Sequence, residues 1–86
     1  MKILLHPQFV KEFGKLPEHI KILARKKINI FIKNPFDSRL KTHQLHGRLN
    51  YLHAFYIDRK KYRLSFEILD KNIVRFYHIG THDIYK

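Results

Sequence analysis

The sequence predicts an α+β domain of order β-α-α-β-β-β, in which a helical hairpin packs on one face of a small, twisted, mainly antiparallel sheet. Three observations carry this. Apolar residues recur at helical spacing from Phe9 to Phe31, they alternate with polar residues after Leu52, and prolines stand where the pattern changes.

Lys2 to Leu5 is a short apolar run stopped at His6-Pro7, which fits a first strand. Pro7 suits the first position of a helix, where its missing N–H is harmless. Phe9, Phe13 and Leu16 then form one helical stripe, with Gly14 weakening that helix near its end. Pro17 starts a second helix that runs to Asn34. Ile20, Leu23, Ala24, Ile28 and Phe31 mark its core face, and Lys21, Arg25, Lys26 and Lys33 fall largely off it. Pro35 disfavours helical backbone at Asn34 and ends the element. His6 and His19 flank the helix starts and read as surface or capping residues.

Residues 35 to 51 hold turn formers and basic residues without a sustained period and read as loop. Leu52 to Ile57 is a strand, and Asp58-Arg59-Lys60-Lys61 is a polar turn. Tyr62, Leu64, Phe66 and Ile68 then alternate with Arg63, Ser65 and Glu67. Asp70-Lys71-Asn72 turns the chain again, and Ile73 to Ile79 completes a meander that Gly80 ends.

Eighty-six residues make one domain, 1–86, with a small core. The absence of cysteine excludes disulfides, thiolate metal sites and cysteine nucleophiles. A hydrophobic fraction of 44% is too high for a disordered chain. No apolar run approaches the roughly 18 residues of a membrane span. The N-terminal apolar stretch is too short for a secretory signal, so a cytoplasmic location is expected.

Charge speaks about partners. Eighteen Lys and Arg against seven Asp and Glu leave a net charge of +11. Between Arg39 and Arg63 stand seven cations (39, 41, 48, 59, 60, 61, 63) and one acid, Asp58, so this stripe carries over half of the net charge. His43, His46 and His53 lie in it too. Counterion release makes such a stripe a polyanion-binding surface. Tyr51, Phe55, Tyr56 and Tyr62 could offer stacking faces for unpaired bases. The plainer alternative is that Arg59-Lys60-Lys61 simply solvates a hairpin tip.

Other chemistries fit poorly. His43-x-x-His46 has no acid between its histidines. His78-x-x-x-His82 would span about 13 Å if extended, too far to share a zinc ion. Ser38 and Ser65 are the only serines and neither sits in a glycine elbow. No carboxylate pair stands out. The remaining cluster of His, Tyr, Arg and Lys holds the residue types that metal-free RNA cleavage requires. A 2′-OH must lose a proton, the 5′ oxygen must gain one, and the phosphorane needs cationic donors.

Three motifs then stand in order: Thr-His-x-Leu-x-Gly at Thr42 to Gly47, Tyr62-Arg63, and the terminal Gly-Thr-His-Asp-Ile-Tyr at Gly80 to Tyr85. With the upstream Phe-x-Lys-Glu-Phe-x-Lys-Leu-Pro from Phe9 to Pro17, the chain resembles the RelE/ParE superfamily of type II toxins. It is most similar to the RelE/YafQ-like branch, ribosome-dependent mRNA endonucleases held inactive by an antitoxin. The resemblance implies a RelE-like fold and metal-independent attack by the RNA 2′-OH, without a cofactor. It assigns catalytic roles to His43, Arg63, His82 and Tyr85, and RNA or ribosome contacts to Arg48, His53, Tyr56, Arg59, Lys60 and Lys61. Three positions depart from the YafQ-type pattern: Tyr56 replaces a second histidine, and Lys60-Lys61 replaces an Asp-aromatic pair. His53 stands where related sequences often have a large aromatic, so the alternative for it is a packing role. The implied partners are an acidic antitoxin, mRNA on the ribosome and ribosomal RNA, with no membrane. The alternative is a non-nuclease relative, either a ParE-like gyrase inhibitor or an inactive RNA-binding domain.

Overall fold

In the computed structural model, which describes residues 1–81, the expected elements form in the expected order with two short additions. Strand β1 (Lys2–Leu5) leads into helices α1 (Pro7–Gly14) and α2 (Glu18–Lys33). A two-residue strand β2 (His43–Gln44) and a 3₁₀ turn (Gly47–Leu49) follow. The meander β3 (His53–Asp58), β4 (Tyr62–Asp70) and β5 (Ile73–Thr81) comes last. The loop expected over 35–51 thus contains β2 and the 3₁₀ turn. A two-residue strand is too short to show a period, so only its pairing with β3 defines it.

Local chemistry sets the helix ends. His6 caps α1, its Nδ1 accepting the Gln8 N–H at 3.0 Å, and Pro7 adds no unsatisfied donor. Helix α2 stops at Asn34, whose extended backbone (φ −157°, ψ 104°) is what the following Pro35 demands.

The sheet order is β1-β5-β4-β3-β2. Among the described residues only the β1–β5 pair is parallel, with Lys2 opposite Ile73 and Leu5 opposite Phe76. Both helices pack on one face. Phe31 of α2 has no exposed surface and touches Phe55, Phe66 and Phe76, with ring centroids 5.1, 4.8 and 5.5 Å away. Ile20 and Ala24 are buried beside it, and Leu23 and Ile28 pack at the margin, as the helical stripe requires.

Strand β1 ends before β5 does. Beyond Phe76, no strand among the described residues pairs with β5 on that side, and Glu12 of α1 contacts it there. Its carboxylate accepts the Ile79 N–H at 3.2 Å and lies 3.2 Å from His78 Nδ1. The second sheet face is partly covered by the chain from Leu45 to Leu52. Leu45, Leu52 and Ala54 form a small cluster there, with Leu49 and Tyr77 packed against it. No helix among the described residues is long and apolar enough to cross a membrane.

Candidate functional site

Strand alternation puts Phe55, Leu64 and Phe66 toward the helices and turns Ala54, Tyr56, Arg63 and Ser65 to the second face. Two cross-strand rows result. In one, Tyr56 stands opposite Arg63 and Arg63 opposite Gly80. In the other, His43 stands opposite Ala54, Ala54 opposite Ser65, and Ser65 opposite His78. His43 reaches diagonally across the rows and stacks on Tyr56, with centroids 5.4 Å apart and planes 30° from parallel.

His43 is oriented by a second contact, Nδ1 lying 3.0 Å from the Lys41 carbonyl oxygen. A carbonyl only accepts, so in neutral His43 the proton sits on Nδ1 and Nε2 carries the lone pair. The imidazole is thereby presented as a proton acceptor. Arg63 is buried on this face, 9% exposed. Its neighbour on β5 is Gly80, which has no side chain.

A cleft of about 380 Å³ opens next to this face, lined by Lys27, Arg39, Lys41, Tyr56, Arg59 and Lys60. Tyr56 belongs to both places. Lys27 comes from α2 and its Nζ donates to the Arg39 carbonyl at 3.3 Å. Arg39 is clamped by Asp37 through Nε and Nη2 at 3.0 and 2.9 Å. Those hydrogen bonds hold the Asp37 carboxyl down to about 2 and raise the Arg39 guanidinium above its ordinary value.

The chain is bent to build the cleft. Leu40 O accepts the Tyr56 N–H, yet pairing resumes only at His43 opposite Ala54, so the β2 side spends one residue more than β3. Lys41 absorbs the mismatch at φ 54°. Arg59 sits at φ 49° in the hairpin turn closed by Lys61 N–H to Asp58 O. These are the non-glycine residues of positive φ among those described, and both line the cleft.

Of the expected site residues, His43, Tyr56 and Arg63 come together on one face, and Arg59 and Lys60 line the adjoining cleft. Arg48 lies exposed on the 3₁₀ turn, outside the cleft lining. Lys61 stands 5.8 Å over the Tyr62 ring instead of beside Lys60 in the cleft. His82 and Tyr85 lie outside the described residues.

Two expectations need correction. His53 does not share the His43 face, because it alternates with Ala54 and turns toward the helices. There it stacks on Phe66 at 5.7 Å and meets the edge of Phe36. Burial, reinforced by the nearby His43, lowers its pKa. Phe55 is a core residue stacked on Phe31 and offers no face to a base, and Tyr62 packs against the same core. Tyr51 is exposed and Tyr56 half-buried.

Lys27 was missed by sequence reasoning, though a signal existed. It falls on the Ile20-Ala24-Phe31 stripe, where a lysine is out of place unless its charge has a destination. Among the described residues, no three His, Asp or Glu converge as a metal-binding group.

No protein-family model matches this sequence, and no curated protein matches it. Solved structures do. YafQ from E. coli superposes with a TM-score of 0.81 at 17% identity, over 98% of this chain and 96% of that one. A YoeB/ParE toxin from Agrobacterium tumefaciens gives 0.78 at 12% identity, over 95% and 99%. The E. coli DinJ–YafQ toxin–antitoxin complex gives 0.78 at 17%, over 96% and 93%. The fold is therefore that of RelE/ParE-type toxins, as the motifs imply.

Proposed function

We propose that the protein is the toxin of a toxin–antitoxin pair and a metal-independent endoribonuclease that cleaves mRNA on the ribosome. The observation that carries the reading is the grouping of an oriented imidazole, a phenol and a half-sequestered guanidinium beside a cationic cleft. In the proposed reaction His43 Nε2 accepts the proton of the 2′-OH. The 2′ oxygen bonds to phosphorus and the bond from phosphorus to the 5′ oxygen breaks. A 2′,3′-cyclic phosphate and a 5′-hydroxyl remain, the leaving oxygen taking a proton from an acid for which His82 is the expected residue. Arg63 meets the negative charge that the phosphorane gains. Tyr85 is expected to stack on a base or position the phosphate.

The partner follows from charge and from the fold. A surface of +11 near ribosomal RNA needs neutralising, and a toxin of this fold is known in complex with an antitoxin. An acidic antitoxin covering the basic face, in the cytoplasm, is the corresponding proposal for this chain. Adding the protein to translating ribosomes, with a parallel DNA supercoiling assay on gyrase, tests the reading. Cut mRNA and unaffected gyrase are expected. Intact mRNA with poisoned gyrase would replace the nuclease by a ParE-like inhibitor.

A further inference from the structure

Lys41 is strained next to the proposed base. Its backbone is left-handed at φ 54°, a conformation that crowds the β-carbon of an L-residue. Arg59 shares the conformation but sits in a hairpin turn, where positive φ is ordinary. Lys41 sits instead at the bulge before β2, and the residues on either side of it are anchored. Leu40 is fully buried, its carbonyl accepting the Tyr56 N–H and its own N–H donating to the Asp37 carbonyl, both at 3.0 Å. The Thr42 hydroxyl donates to the Pro35 carbonyl. His43 is paired with Ala54. One extra residue must fit between these fixed points, and Lys41 fits by leaving the extended region.

The Lys41 carbonyl then meets His43 Nδ1 at 3.0 Å. Tyr56 holds the same ring by its face, with centroids 5.4 Å apart. Stacking alone leaves the proton of a neutral imidazole free to sit on either nitrogen, because the hydrogen bond made by one nitrogen decides which is protonated. A carbonyl only accepts, so it keeps the proton on Nδ1 and the lone pair on Nε2. From this geometry we infer that Lys41 is a positioning residue: its left-handed backbone fixes the His43 tautomer that can take the 2′-OH proton, a role that rests on His43 being the base of the proposed reaction. The Lys41 side chain is exposed and takes no part in the contact, so the position acts through its main chain. Bulges beside active sites re-aim side chains, and here the re-aimed group is the base itself.

Lys41→Asn and Lys41→Val remove the same charge and differ in backbone preference. Asparagine enters left-handed backbone readily, whereas a β-branched residue is a genuine outlier there. Any effect of the lost charge is common to both, so the comparison is between them. Three readouts are taken: single-turnover mRNA cleavage on ribosomes saturated with toxin, ribosome affinity, and the His43 tautomer. The last comes from ring-nitrogen NMR shifts at about pH 8.5, above the ordinary histidine range. Lys41→Val should cleave at least about tenfold more slowly than Lys41→Asn, since general-base contributions are of order 10²–10⁴, while the two bind ribosomes alike. Wild-type protein and Lys41→Asn should show the Nδ1–H tautomer, and Lys41→Val a mixture. Equal cleavage rates in the two variants would overturn the inference. Slower cleavage by Lys41→Val with the Nδ1–H tautomer kept would also overturn it, tracing the loss to another part of the fold. An Nε2–H tautomer in the wild-type protein would do the same, whether or not Lys41→Val folds. Intact mRNA with the wild-type protein would instead fail the nuclease reading, and the positioning role with it.

Discussion

Arg63→Ala tests the catalytic face where the structure is most explicit. Arg63 is 9% exposed, its neighbours across the strands are Tyr56 and Gly80, and the helix-side core under it is made by Leu64 and Phe66. Removing its side chain leaves that core untouched, so the variant should still unfold cooperatively. The kinetic cost can be worked from the charge. A unit charge about 4 Å from a developing unit charge, at an effective dielectric near 20, is worth ~4 kcal/mol. Deleting one preorganised donor elsewhere costs about 10²–10³ in rate, which agrees. Single-turnover mRNA cleavage on ribosomes should therefore slow by about 10²–10³, with ribosome affinity much less affected. Arg63→Lys should recover part of the rate, since it returns the charge without the planar fork. A folded Arg63→Ala protein that cleaves at the wild-type rate would refute the reasoning.

Three further outcomes are expected. Because burial lowers the His53 pKa, the unfolded chain binds the His53 proton more readily, so this residue's contribution to stability is complete above about pH 6.5 and falls as pH drops below it. His53→Phe should remove that part of the acid sensitivity in denaturant titrations at pH 7 and 5, and should leave RNA binding intact; an unchanged pH dependence would contradict the assignment. Asp37→Asn keeps Oδ1 for the Arg39 backbone N–H and Nε but removes the negative charge and the bond from Nη2, so RNA oligonucleotide binding should tighten at low salt, and weakening would show that the clamp positions Arg39 for binding. Glu12→Ala should accelerate hydrogen exchange at the Ile79 amide selectively, and unchanged protection there would mean that Glu12 does not serve as the missing edge partner.

What could be read from the sequence divides along physical lines. Ile20, Ala24 and Phe31 announce a buried helix face because a 3.6-residue period cannot arise from local chemistry alone. The three long strands were legible from their alternation and from Asp58–Lys61 and Asp70–Asn72 between them. Strand β2 was not, since two residues carry no period and it exists through a bond network with β3. Alternation also separates side chains within one strand. Phe55 and Tyr56 are neighbours on one strand, so they face opposite ways, and the same rule separates His53 from Ala54 and therefore from His43. The basic stripe was visible, but its folding into a cleft was not. Lys27 lies far from that stripe in sequence, and nothing in the residue types of Lys41 and Arg59 marks positions of positive φ.

A nuclease that uses the RNA's own 2′-OH leaves its signature in the chemistry of the cut ends. Wild-type protein is incubated with translating ribosomes, and the new mRNA termini are mapped and tested for kinase and ligase reactivity. Upstream fragments should end in a 2′,3′-cyclic phosphate and downstream fragments should bear a 5′-hydroxyl, and 2′-deoxy substitution at the cut nucleotide should abolish the cut. Intact mRNA, or downstream fragments carrying a 5′-phosphate, would contradict attack by the 2′-OH.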